Sequence, residues 1–245
     1  MRISVLEQVK AFLRREKKNN TYVYTSKEMK LTIKNYLIKE KMLYAPIRGI
    51  YIIKKQNQFN GDVLEKYKFE VLSKLGGVIT GNSAIAYYLG EIFHVKNFKI
   101  ITKNKNFKAK LGEHITLEFT ASTVERITQK YTVENSEILL ESPLSLYINN
   151  YKNIPENSDY IRYLMNIDIS HKTIDELIHH NFKISGISKL ALLYKKNGFT
   201  GKHKIILNAL REAGKQIDYR KAHTQVKNTK NTLSDFPIED LDSLI

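Results

Sequence analysis

The stretch that most limits how this chain can fold is residues 22–55, YVYTSKEMKLTIKNYLIKEKMLYAPIRGIYIIKK. An extended piece, a capping pattern, a two-faced helix and a tight hairpin follow one another there with no linker between them. Thr25 with Glu28 three residues on is a capping-box pattern, which predicts a short helix from Ser26. Leu31 ends that helix in a turn, and Thr32 is the expected cap of the next one. At 100° per residue Ile33 and Leu37 share one face of this second helix, while Lys34, Asn35, Ile38 and Lys41 point the other way. Two alternating runs, 43–47 and 50–53, flank Arg48-Gly49, where glycine supplies the positive φ of a tight turn. An amphipathic helix from about Ile3 to Lys17, with Ile3, Leu6, Val9, Phe12 and Leu13 on one side, precedes them. That order outlines a winged helix-turn-helix in residues 1–56.

The chemistry of such a unit points to double-stranded DNA. A helix fits the major groove, where Asn pairs with adenine, Lys reaches guanine and an aliphatic group meets the thymine methyl. The expected base contacts are Thr32, Lys34, Asn35, Ile38 and Lys41. Lys27, Lys30, Lys39, Arg48 and Tyr51 are the expected backbone and wing contacts. An ordinary solvated helix beside a plain hairpin has the same spacing, so that alternative stays open here.

Charge placement leans the same way. The chain carries a net charge of +15, but residues 1–60 hold 14 Lys and Arg against 4 Asp and Glu, a balance of +10. Residues 61–199 are close to neutral at 18 against 15, and residues 200–233 return to 8 against 2. Concentrated positive charge favours a polyanion partner. Lys202, Lys204, Arg211, Lys215, Arg220 and Lys221 are therefore a candidate second basic surface. The last stretch, 234–245, is acidic and reads as a tail. There is no cysteine, hence no disulfide, which suits a cytoplasmic protein. No run approaches the roughly 18 apolar residues of a membrane span, so no membrane partner is expected.

Beyond a polar linker at 56–62 the pattern is mixed α/β over 61–141 and helical over 142–233. A helix is expected over 63–75, a buried strand at 78–80, and a helix over 84–89 after Gly81-Asn82-Ser83. Extended pieces are expected at 98–102, 115–120 and 137–140. Ser142-Pro143 opens a helical series covering about 143–151, 158–166, 173–181, 186–197, 202–213 and 218–228, with Thr173 and Glu176 forming a second capping-box pattern. The fold class is thus α+β.

Two segments resemble a known family. Pro46-Ile47-Arg48-Gly49-Ile50-Tyr51 is similar to the wing of AbiEi-type antitoxins, and Gly77-Val78-Ile79-Thr80-Gly81-Asn82-Ser83-Ala84-Ile85-Ala86-Tyr87-Tyr88-Leu89-Gly90 is similar to their "G-x-itG-x-SAl-x-x-LG" segment. The resemblance covers residues 1 to about 120. It implies a repressor whose winged helix binds inverted repeats upstream of its own operon and silences it. It also implies an antitoxin of a type IV toxin–antitoxin system of the abortive-infection kind. The functional partner would be a nucleotidyltransferase-type toxin, opposed without a stable complex. Only the helix and wing positions carry over, because the antitoxic residues of the family form no motif that can be aligned.

Signals for catalysis are weak. Nucleotidyltransferases open with a Gly-Ser or Gly-Gly turn at a helix start, then paired Asp residues that hold Mg²⁺. If the registers correspond, Asn97 and Lys99 stand at those positions here, and lysine presents only donors. The turn at Gly81–Ser83 could offer free amides to a phosphate, although capping and packing roles are commoner. His179 and His180 are adjacent on a helix and diverge by about 100°, so they do not share a metal. No catalytic residue, cofactor or metal is expected. A nucleic-acid- or nucleotide-processing enzyme and a direct protein-binding inhibitor are the rival readings.

Overall fold

A computed structural model describes residues 4–103 and 106–215 of the chain. The fold is α+β, and it divides after Asp168 into two compact units. The first unit opens with α1 (Val5–Asn19), whose Ser4 cap and Glu7 exchange both hydrogen bonds of a capping box. The left-handed Asn20 (φ 53°) ends the helix by donating its N–H to Glu16 and Lys17 carbonyls. Then come β1 (Val23–Thr25), α2 (Leu31–Lys39), β2 (Leu43–Ile47) and β3 (Ile50–Ile53). The three strands form one antiparallel sheet in the order β1-β3-β2. One apolar cluster of Val9, Phe12, Tyr24, Met29, Ile33, Leu37 and Ile53 joins this sheet to α1 and α2.

The short helix expected from Ser26 is absent. Only five residues separate β1 from α2, too few for the costly first turn of a helix to be followed by growth. They form a turn instead: the Ser26 N–H donates to the Gly49 carbonyl at 2.9 Å, and Met29 is buried in the cluster. Glu28 does accept the Thr25 N–H at 2.7 Å, so half of the capping box exists without its helix. Leu31 begins α2 rather than ending a preceding helix. The cap of α2 is Lys30, with no side-chain hydrogen bond, and Thr32 lies inside the first turn.

α3 (Asn60–Leu75) leads into a six-stranded mixed sheet. Its strands are β4 (Val78–Thr80), β5 (Asn97–Thr102), β6 (Phe107–Leu111), β7 (Ile115–Ala121), β8 (Thr128–Val133) and β9 (Ser136–Glu141), in the order β6-β7-β5-β4-β9-β8. β4 runs antiparallel to β5 and parallel to β9, and β5 runs parallel to β7. α4 (Gly81–Tyr88) follows β4 directly; α5 (Pro143–Asn150), capped by Ser142 with proline in its first turn, and α6 (Asp159–Asn166) complete the unit. Phe98, Ile100, Leu117, Leu140 and Ile79 form the apolar layer of the sheet.

The second unit packs α7 (His171–His179), α8 (Ile184–Lys196) and α9 (Thr200–Glu212) around Ile174, Leu177, Leu190, Tyr194, Ile206 and Leu210. α7 is capped by Ser170, whose hydroxyl accepts the Thr173 N–H at 3.1 Å; Thr173 is therefore the capped residue, not the cap. His171 bridges α7 and α9, with Nδ1 2.8 Å from Asp175 and Nε2 3.2 Å from Glu212. The Asp175 hydrogen bond holds its pKa above the ordinary histidine value. The helix expected over 218–228 and the acidic tail lie outside the described residues. No helix among the described residues is long and apolar enough to cross a membrane.

Candidate nucleic-acid interface

α2 is two-faced because its aliphatic residues fall on one side of the helical repeat. Ile33 and Leu37 are buried, whereas Leu31, Thr32, Asn35, Ile38 and Lys39 are exposed. These five occupy an arc of about 120° opposite the buried pair. Leu31, 64% exposed, belongs to this arc, and the sequence reading missed it because it treated Leu31 as the end of another helix. The arc is thus mixed, with two aliphatics, a hydroxyl, an amide and an ammonium.

Lys34 stands at the edge of that arc, half-buried, with its Nζ 5.4 Å from the centre of the Tyr51 ring. A cation over a ring face is attracted by the ring quadrupole, so this pair binds α2 to β3. Lys41 lies beyond the helix. α2 stops at Lys39, Glu40 is its C-cap, and Lys41 takes a left-handed conformation (φ 55°) with its N–H on the Ile38 carbonyl. The sequence reading carried the helix through Lys41; the left-handed turn that feeds β2 ends it sooner and removes Lys41 from the exposed arc.

The hairpin is as expected. Ile47 and Ile50 face each other, leaving Arg48-Gly49 as a two-residue loop with Gly49 at φ 88° and Arg48 exposed at the tip. Ser26 anchors the loop to the turn that leads into α2 by giving both its N–H and its hydroxyl to the Gly49 carbonyl. Lys27 and Lys30 are exposed in that same turn. Arg48, Lys27 and Lys30 are therefore held on one connected piece of backbone, next to the start of α2.

Contacts from the rest of the unit hold this surface. Lys74 of α3 pairs with Glu28 at 2.6 Å. Partial burial works against the Glu28 carboxylate, but Lys74 and the Thr25 N–H keep its pKa below the ordinary carboxylate value. Burial pushes the Glu70 carboxyl up, against the N–H bond it receives from Val23 at 3.3 Å. The Gly112 N–H reaches the Pro46 carbonyl at 3.3 Å, tying the β6–β7 turn to β2. Gly112 has φ 64°, and a Cβ there would fall 2.4 Å from Leu64 Cδ2. Gly112→Ala is therefore expected to push α3 and β2 apart and to lower the thermal midpoint, read by circular dichroism, with no change in any surface charge.

The other expected surface is not assembled in the same way. Lys204 and Arg211 are exposed and share a face of α9, seven residues apart. Lys202 lies on the opposite side, with its Nζ 5.5 Å from the Tyr194 ring centre and 5.3 Å from that of Phe199. Lys215 follows the helix end, and Arg220 and Lys221 lie outside the described residues.

The Gly81–Ser83 turn is a packing device. Ser83 is 2% exposed; its hydroxyl donates to the Thr80 carbonyl at 2.7 Å and accepts the Lys99 N–H at 3.1 Å. Both bonds lie within the β4–α4–β5 junction, so that hydroxyl faces no ligand. Beside it lies a group the sequence reading did not single out. Glu141 is fully buried; its carboxylate accepts from Thr80, from Ser145 at 2.8 Å and from Asn149 at 2.7 Å, with Arg126 Nε at 3.4 Å. All its partners are protein groups, so it knits β4, β9, α5 and the Arg126 loop. Its only sequence signal was an acid at the end of an apolar strand. Among the described residues no three His, Asp or Glu side chains are grouped to hold a metal ion.

No family model matches the chain, and no curated protein matches it.

Proposed function

We propose that residues 4–55 form a winged-helix unit, in which the turn at 26–30 stands where a helix-turn-helix has its first helix, and that this unit binds double-stranded DNA, with α2 in the major groove and Arg48 on the backbone or in the adjacent minor groove. The observation that carries this reading is the exposed arc of α2 beside the Arg48 tip. A side with a hydroxyl, an amide, an ammonium and aliphatic groups suits base edges, and the basic turn next to it suits phosphates. In this reading Thr32, Asn35 and Ile38 meet bases, and Lys27, Lys30, Lys39 and Arg48 meet phosphates. Lys34 and Tyr51 act as a pair that orients the helix against the wing. Following the AbiEi resemblance, the chain acts as a repressor of its own operon, bound to inverted repeats, and as an antitoxin opposing a nucleotidyltransferase-type toxin without a stable complex.

The test is a titration of the full chain against the DNA upstream of its own gene and against scrambled DNA, at several salt concentrations. Asn35→Ala should cost about 1–3 kcal/mol of discrimination at one base pair. Arg48→Ala should weaken both DNAs alike and reduce the salt slope by about 1. Equal affinity of the unaltered protein for the two DNAs would defeat the operator reading. A salt slope unmoved by Arg48→Ala would remove the wing from the interface.

A further inference from the structure

The two edges of the six-stranded sheet are unlike each other. The β6 edge presents exposed Lys108 and Lys110, and its end is tied to β2 through Gly112. Lysines on an edge, and a covering element, are ordinary guards against strand addition. The β8 edge has one exposed lysine and, among the described residues, no backbone tie to another element. Its six residues, Thr128 to Val133, pair with β9 in unbroken register, without bulge, proline or glycine. Among the described residues their backbone groups bond to β9 alone. That lysine, Lys130, is paired with Glu137 at 2.8 Å, as Lys108 of the β6 edge is with Glu118 at 3.6 Å, so the two edges differ in the second lysine and in the tie through Gly112.

Beside this edge stands a cluster of tyrosines. Tyr131 of β8 packs against Tyr87 and Tyr88 of α4, at 4.8 and 6.0 Å between ring centres. Tyr88 in turn stacks on Tyr163 of α6 at 5.4 Å. Tyr88 and Tyr160 are fixed by hydrogen bonds to the Glu141 and Pro143 carbonyls, and Tyr87, Tyr131 and Tyr163 remain half-exposed above them. Rigid, amphipathic tyrosine surface is what protein interfaces concentrate.

Local charge indicates which protein. The chain is +15 overall, which keeps its copies apart over most of their surface. Residues 125–137 run against that trend, with 2 basic residues against 3 acidic, so two copies can approach there. The strand is also self-complementary. A two-fold axis perpendicular to the sheet preserves its faces only if one residue sits opposite its own copy. Centring on Lys130 would set two ammonium groups against each other. Centring on Tyr131 pairs the two phenol rings, sets Lys130 across from Thr132 of the second copy, and fuses the two tyrosine clusters. We infer that two copies of this chain associate through antiparallel β8 strands with Tyr131 on the two-fold axis.

Self-association through β8 is separate from DNA binding and is measured without DNA, so either can fail alone. Sedimentation of the full chain should show a concentration-dependent rise from 28.5 kDa toward twice that mass. Tyr131→Glu, which sets two carboxylates face to face, should return it to the single mass with an unchanged circular dichroism spectrum. The chain has no cysteine, so single cysteines report the register directly. Tyr131→Cys should form a disulfide dimer on mild oxidation. Lys130→Cys and Thr132→Cys should cross-link when mixed and not alone. A single mass at every concentration, a dimer that survives Tyr131→Glu, or cross-linking indifferent to position would each overturn the inference.

Discussion

Glu141→Ala is expected to lower the unfolding free energy by about 3–5 kcal/mol, read from the midpoint of a urea titration followed by tyrosine fluorescence, because one partner of a buried ion pair is removed. The carboxylate is fully buried, and four side chains from three parts of the first unit (β4, the Arg126 loop and α5) converge on it: Thr80, Arg126, Ser145 and Asn149. Truncation removes an acceptor from all of them at once; Asn149 keeps the Glu125 carbonyl and the Arg126 guanidinium keeps Ser122 and the Val124 carbonyl. The Arg126 side chain is only 14% exposed, so its Nε loses its neighbouring charge with little water to replace it. Glu141→Gln separates charge from shape. It keeps an acceptor for Ser145 and Asn149 but presents donors toward Thr80 and Arg126, so the loss should be smaller than for alanine but still above 1 kcal/mol, the usual net worth of one hydrogen bond being about that size. A loss below about 1 kcal/mol for alanine would mean that water or a neighbouring group closes the gap, and that the network is weaker than its geometry implies.

The same network illustrates which parts of the molecule could be read from the chain. Elements with strong local signals came through: the Arg48-Gly49 loop, the buried pair Ile33 and Leu37, the Ser142-Pro143 helix start and the 78–80 strand all lie where their patterns place them. Both strands that escaped notice, β6 (FKAKL) and β8 (TQKYTV), are sheet edges. With one neighbour each and much exposed backbone, they lack the apolar run that marks a central strand. The errors around Ser26 and Thr173 share another cause. A Thr or Ser followed by Glu at the third position satisfies the local rule for a cap, but tertiary contacts decide whether a helix follows. Gly49 and Glu28 claim the first segment, and Ser170 reaches Thr173 before Thr173 can cap anything. Lys34 shows the limit for site residues. Spacing put it with the exposed side chains, yet a ring 17 residues along the chain draws it to the edge of the arc. Glu141 is harder still: Ser145 and Asn149 are an i, i+4 pair on α5, but Thr80 and Arg126 come from distant positions that no local pattern links to it.

Alkaline pH should unfold this protein steeply, and tyrosines carry the effect. Burial, first of all, pushes the Tyr24, Tyr88 and Tyr147 phenols well above the ordinary tyrosine value; for Tyr24 the hydrogen bond to the Glu16 carboxylate adds to it, and for Tyr88 the neighbouring Tyr131 does. The sign follows from which state releases protons. In the unfolded chain these phenols ionise near pH 10, while the folded chain still holds their protons. Below that pH their contribution to stability is complete; above it the unfolded state is favoured by about 1.4 kcal/mol per pH unit for each group, or about 4 kcal/mol per unit for the three together. Urea midpoints at pH 9, 10 and 11 would measure the slope, and phenolate absorbance would show that ionisation accompanies unfolding. Tyr147→Phe isolates the cause by removing one titrating group from the core. Its slope above pH 10 should be shallower than that of the unaltered chain by about 1.4 kcal/mol per unit, and identical slopes would shift the blame to loss of lysine charge. Tyr24 ties this to the proposed DNA surface. It lies in one cluster with Ile33 and Leu37, so a phenolate forming at Tyr24 attacks the layer on which α2 rests.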